Sequence, residues 1–176
     1  MSEDRARDQA AAQMSSIAQM VAALECDYDR LNELRDERQE LKDAVDDADP
    51  DELKVAVADL HNWEDINGEE LAELEEAAGD CSDREAAEER IREDALAVEV
   101  RSGWCSPGET PEPEEFQILL CTGGPAVRIL GELNEWKEPC RAHIEYRDWF
   151  TPWQEYFGDV DQDVLLTYCR CFYFGE

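Results

Sequence analysis

A heptad-spaced series of apolar residues in the first third of the chain constrains its fold most strongly. The series consists of Ile17, Met20, Leu24, Tyr28, Leu31, Leu34, Leu41 and Val45. Apolar residues at this spacing form a narrow seam along an α-helix, and a second helix is needed to cover that seam. The spacing therefore predicts one long helix that ends near Ala48, since Asp49 precedes Pro50 and is disfavoured from helical geometry.

The opposite face of this predicted helix carries carboxylates spaced alternately four and three residues apart. This acidic row consists of Asp29, Glu33, Asp36, Glu40, Asp43 and Asp47. On a helix the row is straight, with neighbours about 5 Å apart along the axis. The basic residues of the segment lie beside the seam instead, and they are Arg30, Arg35, Arg38 and Lys42. We expect them to bridge to a partner helix and to leave the acidic row unneutralised.

A second helix is predicted to return antiparallel to the first, because only a tight turn separates the two. Asp49 is suited to cap this helix, with Pro50 at its first position. Its predicted seam consists of Leu53, Val57, Leu60, Trp63 and Ile66. We expect an interruption at residues 67–70 and a C-terminal cap at Gly79. Four acids of this helix form a possible second row, namely Glu69, Glu73, Glu76 and Asp80.

A short third helix is predicted to start at a capping box formed by Ser82 and Glu85, and to end near Asp94. Beyond residue 95 the sequence becomes β-prone, over 96–104, 114–122, 126–133 and 141–150. Acidic or Gly- and Pro-rich turns separate these segments, which predicts a four-stranded antiparallel sheet.

The last segment, residues 164–174, is predicted to form a helix that covers the sheet and that Asp161 or Asp163 caps. A fifth strand at residues 172–174 is the alternative. The expected fold is therefore α+β. Residues 1–95 form an acidic antiparallel helical hairpin of coiled-coil type plus a short helix, and residues 96–176 form an antiparallel-sheet domain with a C-terminal helix.

The net charge of −30 limits the classes of partner. Residues 1–95 hold 31 acids and 10 bases, whereas residues 96–176 hold 15 acids and 6 bases. Such a surface repels nucleic acid and anionic membranes and attracts strongly basic proteins. No apolar run resembles a signal peptide or a membrane span. The seven cysteines contain no CxxC pair, so a reduced, cytoplasmic setting is expected, with most thiols in the core.

Motifs for catalysis, cofactors and metals are not found in the sequence. It contains no GxSxG, P-loop or Gly-rich dinucleotide turn, and Gly123-Gly124-Pro125 is more typical of a hairpin turn. Zinc requires clustered ligands, and only His61 and His143 are available to join the scattered cysteines. We therefore predict a protein that is not an enzyme, with no catalytic residues, no cofactor and no metal.

An aromatic segment follows the last predicted strand. It contains Tyr146, Trp149, Phe150, Trp153, Tyr156 and Phe157. In so acidic a protein these rings are unsuited to stacking on bases, which requires basic surroundings. We expect Trp149 and Phe150 to close the core of the sheet, and Trp153 and Tyr156 to be possible anchors for a protein partner.

Two interpretations of the acidic row are open. Outer helix positions are usually charged, so the row can be an ordinary solvated face. However, ordinary outer faces mix the two signs, and the row from Asp29 to Asp47 contains no base. The alternative is mimicry of a nucleic-acid backbone. Duplex DNA carries one charge per about 1.7 Å of axis, and a second acidic row would bring the protein closer to that density.

The segments LLCTGGPAVRILGEL, EYRDWFTPWQEYFG and LLTYCRCFYFGE resemble a family of uncharacterised acidic proteins of bacteriophages and integrative elements. By charge and genomic company, such proteins are similar to DNA-mimic inhibitors of restriction enzymes or CRISPR complexes. The resemblance implies an anti-defence protein in the cytoplasm of a bacterial host, whose partner is a basic nucleic-acid-binding defence protein. The alternative is a coiled-coil adaptor or assembly protein that binds a partner helix, and the seam also allows a homodimer.

Overall fold

The computed structural model describes residues 2–175, which contain five helices and one five-stranded antiparallel sheet. The helices are α1 (Ser2–Glu25), α2 (Tyr28–Asp47), α3 (Leu53–Ala78), α4 (Arg84–Asp94) and α5 (Gln162–Cys169). The strands are β1 (Ala97–Ser102), β2 (Pro113–Cys121), β3 (Ala126–Leu133), β4 (Pro139–Arg147) and β5 (Gln154–Glu155). The strands neighbour one another in chain order. The predicted α+β class is confirmed.

The predicted single first helix is wrong, because the chain breaks between α1 and α2. Asp27 is the N-cap of α2, and its carboxylate accepts a hydrogen bond from the Arg30 N–H at 3.0 Å. Such a cap satisfies a backbone donor that has no partner within the helix. Leu24 and Tyr28 are buried on either side of the break. The heptad spacing of apolar residues therefore continues from α1 into α2, and it gives no indication that one helix ends and another begins.

The predicted interruption of the second helix at residues 67–70 is also wrong, since α3 is continuous from Leu53 to Ala78. The C-terminal end of α3 follows the prediction, but its start does not: α3 begins at Leu53 with Glu52 as its N-cap residue, so Pro50 lies in the preceding turn and is not the first helical residue. The Asp49 carboxylate accepts hydrogen bonds from the N–H groups of Asp51 and Glu52, at 2.9 and 3.1 Å. Gly79 ends the helix with φ of 56°, and its N–H donates to the Glu75 carbonyl at 3.1 Å.

Helices α2 and α3 form the expected antiparallel hairpin. The Trp63 indole N–H donates to Glu37 at 2.8 Å, while Arg30 contacts Glu70, so residue numbers fall along α3 as they rise along α2. The predicted seam is only partly buried. Leu31 and Leu34 of α2 are buried, but three residues of the predicted α3 seam are exposed: Leu53, Val57 and Ile66. A contact between two helices covers a narrow stripe, and Ile66 lies about 140° around α3 from buried Leu71, outside that stripe.

Helix α4 ends at Asp94, as predicted, but its cap is Asp83 and not Ser82. The Asp83 carboxylate accepts from the Ala86 N–H at 2.8 Å, and this bond is the main reason that the pKa of Asp83 is lowered. Ser82 instead donates its hydroxyl hydrogen to the same carboxylate. Asp83 therefore caps the helix, and Ser82 holds the Asp83 carboxylate in place.

The sheet has one strand more than predicted, because β5 pairs with β4 through Tyr146↔Gln154 and Glu145↔Glu155. The alternative fifth strand at residues 172–174 does not form. Phe174 instead packs on Phe116, with ring centroids 4.5 Å apart.

One face of the sheet is the core face. Ile118, Ile129 and Ile144 lie side by side on β2, β3 and β4 and are fully buried. Helix α5 contacts β4 and buries Leu165 and Tyr168. Its N-cap is Asp161, which accepts from the N–H groups of residues 163 and 164. The predicted covering helix is therefore present, although it ends at Cys169.

The described residues form two compact units. The hairpin unit spans residues 22–87, and the sheet unit joins the part of α1 up to Val21 with the residues from Glu88 onward. The predicted division placed the boundary at residue 95, with the whole first helix in the helical half. The structure instead groups most of α1 with the sheet, and α1 buries a stripe there that includes Ala10, Met14 and Ile17.

Two Gly→Ala substitutions should change stability in opposite directions. A Cβ at Gly131 would lie 2.2 Å from Phe116 Cζ and 2.4 Å from the Arg141 carbonyl oxygen. Gly131→Ala should therefore destabilise the sheet unit by about 1–3 kcal/mol. Gly68 lies inside α3 with open space around it, so Gly68→Ala should stabilise the hairpin by about 0.5–1 kcal/mol. Urea unfolding followed by circular dichroism measures both, and equal effects of the two substitutions would contradict this packing.

Candidate partner-binding surface

The predicted acidic row lies on the outer face of α2. All six side chains, Asp29, Glu33, Asp36, Glu40, Asp43 and Asp47, are exposed. With about 3.6 residues per turn, the row faces away from buried Leu31 and Leu34, which face α3. From its first to its last carboxylate the row is about 27 Å long.

Three of the four basic residues beside the seam bridge to α3, as expected. Arg30 donates two hydrogen bonds to Glu70, at 3.0 and 2.9 Å. Arg35 and Arg38 form ion pairs with α3 residues 75 and 64, at 3.2 and 3.1 Å. These guanidinium groups are held at the helix–helix contact. Positive charge is thereby placed between α2 and α3 and away from the outer faces.

The acidic row is not entirely unneutralised, which corrects the expectation. The second guanidinium branch of Arg30 lies 2.7 Å from the Glu33 carboxylate. Asp43 accepts a hydrogen bond from the Gln39 amide at 2.7 Å, and that donor carries no charge. Among the described residues, the other five carboxylates of the row form no ion pair. The row thus presents five uncompensated charges.

The second set of acids lies on α3 and just beyond its end. Glu69, Glu73 and Glu76 are exposed on the α3 face that points away from α2, and Asp80 is exposed after the Gly79 cap. Packed helix axes are about 8–10 Å apart, and a helix with side chains is about 10–12 Å wide. The two rows therefore lie on opposite sides of the hairpin, about 20 Å apart, and they do not add together on one surface.

The charge density of the hairpin as a whole approaches that of DNA. Helix α2 has eight acids and four bases, the turn at residues 48–52 has three acids, and α3 has eight acids and one lysine. This net charge of −14 is spread over about 39 Å of helix, or one charge per about 2.8 Å. Duplex DNA carries one per about 1.7 Å.

The two predicted aromatic anchors are already engaged within the sheet unit. Trp153 is half-buried, and the guanidinium carbons of Arg128 and Arg147 lie 4.1 and 4.5 Å from its ring centroid. Tyr156 is half-buried and meets Tyr146 edge-on, with centroids 6.4 Å apart. These contacts stabilise the Trp153 ring by cation–π attraction. Neither side chain is presented freely to a partner.

Trp149 and Phe150 are exposed, so the prediction that they close the core is wrong. Their exposed fractions are 62% and 101%. A turn that follows β4 holds them outward: the Asp148 N–H donates to the Thr151 hydroxyl, which donates to the Asp148 carbonyl, both at 3.0 Å. Phe150 has φ of 63°, which is rare for a bulky residue. The spacing of Asp148 and Thr151, three residues apart, is the feature of the sequence that indicates this turn.

Basic residues of the sheet lie opposite acids on the neighbouring strand. Arg128 donates two hydrogen bonds to Glu145, at 2.9 and 2.7 Å, and the two residues are register partners. Arg141 lies opposite Glu132 in the same way. Cross-strand pairs of opposite charge stabilise a sheet and neutralise its surface. Charges of both signs therefore lie together on this surface, whereas the outer faces of the hairpin are mainly acidic.

The cysteines are distributed between the core and the surface of the described residues. Cys81 and Cys169 are buried, but the other five are half-buried or exposed, so the expectation that most thiols lie in the core is wrong. Burial raises the pKa of the Cys26 and Cys121 thiols, which reduces the thiolate fraction at neutral pH. Within residues 2–175, no three or more His, Cys, Asp or Glu side chains are grouped in a way that would hold a metal ion.

Comparisons with known proteins give no match: no family model, curated protein or solved structure is similar to this chain. The resemblance to acidic phage proteins therefore stays a prediction. Among the described helices, none is both long and apolar enough to span a membrane.

The Arg30–Glu70 pair should be visible in a pH titration. Its hydrogen bonds lower the pKa of Glu70, so the pair stabilises the fold above the unfolded-state pKa and loses that effect as pH falls through the folded-state pKa. Arg30→Gln should raise the pKa of Glu70 toward 4.5, its ordinary value, measured by the NMR shift of the side-chain carboxyl carbon. Glu112, whose pKa Lys137 lowers, is the unaffected control. Identical Glu70 titrations in both proteins would exclude the pair.

Proposed function

We propose that this protein is an anti-defence inhibitor of a phage or mobile element that acts as a DNA mimic. Its hairpin occupies the basic nucleic-acid groove of a restriction or CRISPR complex in the cytoplasm of a bacterial host. The observation that carries the proposal is the outer face of α2, where five exposed carboxylates lie in a row without ion pairs to described residues. The protein needs no catalytic residue and no cofactor for this function.

Electrostatics favours a basic groove as the partner. The hairpin arginines are held at the α2–α3 contact, so a partner meets the carboxylates and not the guanidinium groups. Lysines and arginines of a groove that ordinarily bind DNA phosphates can form similar charge-assisted hydrogen bonds with the carboxylates of the row. The same charge repels DNA itself, so the purified protein should not bind naked duplex DNA at physiological salt.

The separation of the rows limits the shape of the groove. A cleft that grips one side of the hairpin contacts either the α2 row or the α3 row. A groove that encloses a whole duplex is wide enough to contact both, since the rows are about 20 Å apart. The proposal therefore favours a target that surrounds its DNA.

The direct functional experiment is phage plating on hosts with defined restriction or CRISPR systems, with and without this protein. Rescue of a restricted phage by one system supports the proposal and identifies the target. Absence of rescue across a broad panel would exclude anti-defence activity against those systems.

Neutralising the α2 row should reduce inhibition in a graded way. The variant carries Asp29→Asn, Asp36→Asn and Asp43→Asn with Glu33→Gln and Glu40→Gln. It should fold, because the seam is unchanged, and each charge that meets a desolvated base should cost about 1 kcal/mol or more of binding free energy. Association should also slow, since steering by charge raises on-rates by about 10- to 1000-fold. Rescue of phage plating and binding kinetics on the identified target measure both effects.

The matched control removes the same number of charges from exposed acids of the sheet unit. It combines substitutions to the corresponding amides at Glu93, Glu114, Glu135, Glu155 and Asp159. Full activity of the control with loss in the row variant is expected. Equal loss in both would mean that only total charge matters, and full activity of a folded row variant would mean that the row is a solvated face.

A second candidate function is that of a coiled-coil adaptor that binds a partner helix. Leu31 and Leu34 cannot provide the binding surface, because both are fully buried against α3. The observation that favours an adaptor is the exposed apolar set on α3, which consists of Leu53, Val55, Val57 and Ile66. Under this alternative, polar substitutions of Val55 and Ile66 should abolish partner binding, whereas neutralising the α2 row should have little effect.

A further inference from the structure

The outer edge of β1 is open, and its sequence is self-complementary. Among the described strands, β1 is an edge strand that pairs only with β2, and every residue from Val98 to Arg101 is exposed. The other edge strand, β5, has only two residues. Short edge strands limit pairing between molecules, whereas a six-residue edge without proline or lysine permits it.

The registers show which backbone groups of β1 point outward. The Tyr156 N–H donates to the Ile144 carbonyl at 2.8 Å, so Ile144 directs its backbone groups to β5. Alternate residues of an antiparallel strand face alternate neighbours. Glu145 therefore bonds to Arg128 of β3, Ile129 bonds to Ile118 of β2, and Gln117 bonds to Glu99 of β1. Because Glu99 directs its backbone groups to β2, the N–H and C=O groups of its neighbours Val98 and Val100 point outward.

The side chains of β1 lie on two faces. Val98 and Val100 lie beside Ile118 and Phe116 on the core face, yet they are 40% and 49% exposed. Glu99 and Arg101 lie on the other face and are exposed at the edge, where Glu99 accepts a hydrogen bond from the Gln117 amide and Arg101 pairs with Glu115 of β2. The edge therefore carries unpaired backbone groups, exposed valines and two opposite charges in the order Glu-Val-Arg.

We propose that two copies of this chain pair through β1, antiparallel and with Val100 on the two-fold axis. In that register Glu99 lies directly opposite the partner copy's Arg101, and symmetry repeats the pair. Val100 meets its own copy, which buries two exposed valines. A register centred on Glu99 or on Arg101 instead sets like charges directly opposite, which is destabilising. Among the three registers centred on Glu99, Val100 and Arg101, the charge order thus selects the one centred on Val100.

A second copy fits this edge better than an unrelated strand, because Glu99 and Arg101 carry opposite charges on either side of Val100 and are therefore complementary to the same edge of a second copy. The dimer forms on the sheet unit, where cross-strand pairs neutralise Arg128 and Arg141. The acidic rows belong to the other unit, the hairpin. The β1 edge is different from the α2–α3 seam.

The test uses the full-length protein and sedimentation or light scattering to measure its mass. The wild type should be a dimer that dissociates on dilution. Val100→Lys and Val100→Glu should each be monomeric, since each places like charges on the axis, and an equimolar mixture of the two should recover a dimer. Val55→Lys is the matched control, because Val55 is also an exposed valine and the charge change is identical. It should remain a dimer.

Circular dichroism confirms that each variant is folded. A monomeric wild type over the concentrations at which edge-strand dimers form would overturn the proposal. A dimer that survives Val100→Lys but is lost in Val55→Lys would place the interface on the hairpin and would also overturn it. So would a mixture of the two charged variants that remains monomeric, because opposite charges at residue 100 would then not meet.

Discussion

The ion pairs between α2 and α3 determine the surface of the whole hairpin. Arg30, Arg35 and Arg38 lie beside the apolar seam and bind carboxylates of α3. Because long basic side chains pack along the stripe that the leucines leave open, they complete a contact that two helices alone cover poorly. The same contact removes positive charge from the outer faces. An antiparallel helical pair with basic residues at its centre and acids outside follows directly from the spacing of the sequence.

The sheet unit handles charge differently. Its basic residues lie opposite acids on neighbouring strands, as Arg128 does with Glu145, so both signs lie together on the open face. Repulsion between carboxylates is therefore concentrated on the hairpin. The proposed binding of a basic partner therefore rests on the hairpin, and the proposed pairing of two copies rests on the sheet edge.

Much of the fold follows from local signals in the sequence. Seam spacing predicted the hairpin, turn composition predicted four strands, and the acids at residues 161 and 163 predicted a cap for α5, which the structure assigns to Asp161. The break at Asp27 was missed because the apolar rhythm continues across it. The two-residue β5 is too short for a periodic signal, and the outward turn at Phe150 depends on hydrogen bonds from Thr151 that hold a rare backbone geometry. The row on α2 was predictable from spacing, but its separation from the α3 row follows only from how the helices pack.

The central claim is that the hairpin takes the place of DNA in a basic groove. Competition kinetics on the defence complex that the plating experiment identifies test it most directly, with duplex DNA and this protein varied together. The account predicts competitive inhibition, in which the apparent inhibition constant rises linearly with DNA concentration and excess DNA restores full activity. Inhibition that is independent of DNA concentration, or a ternary complex that contains both DNA and this protein in the same groove, would contradict it.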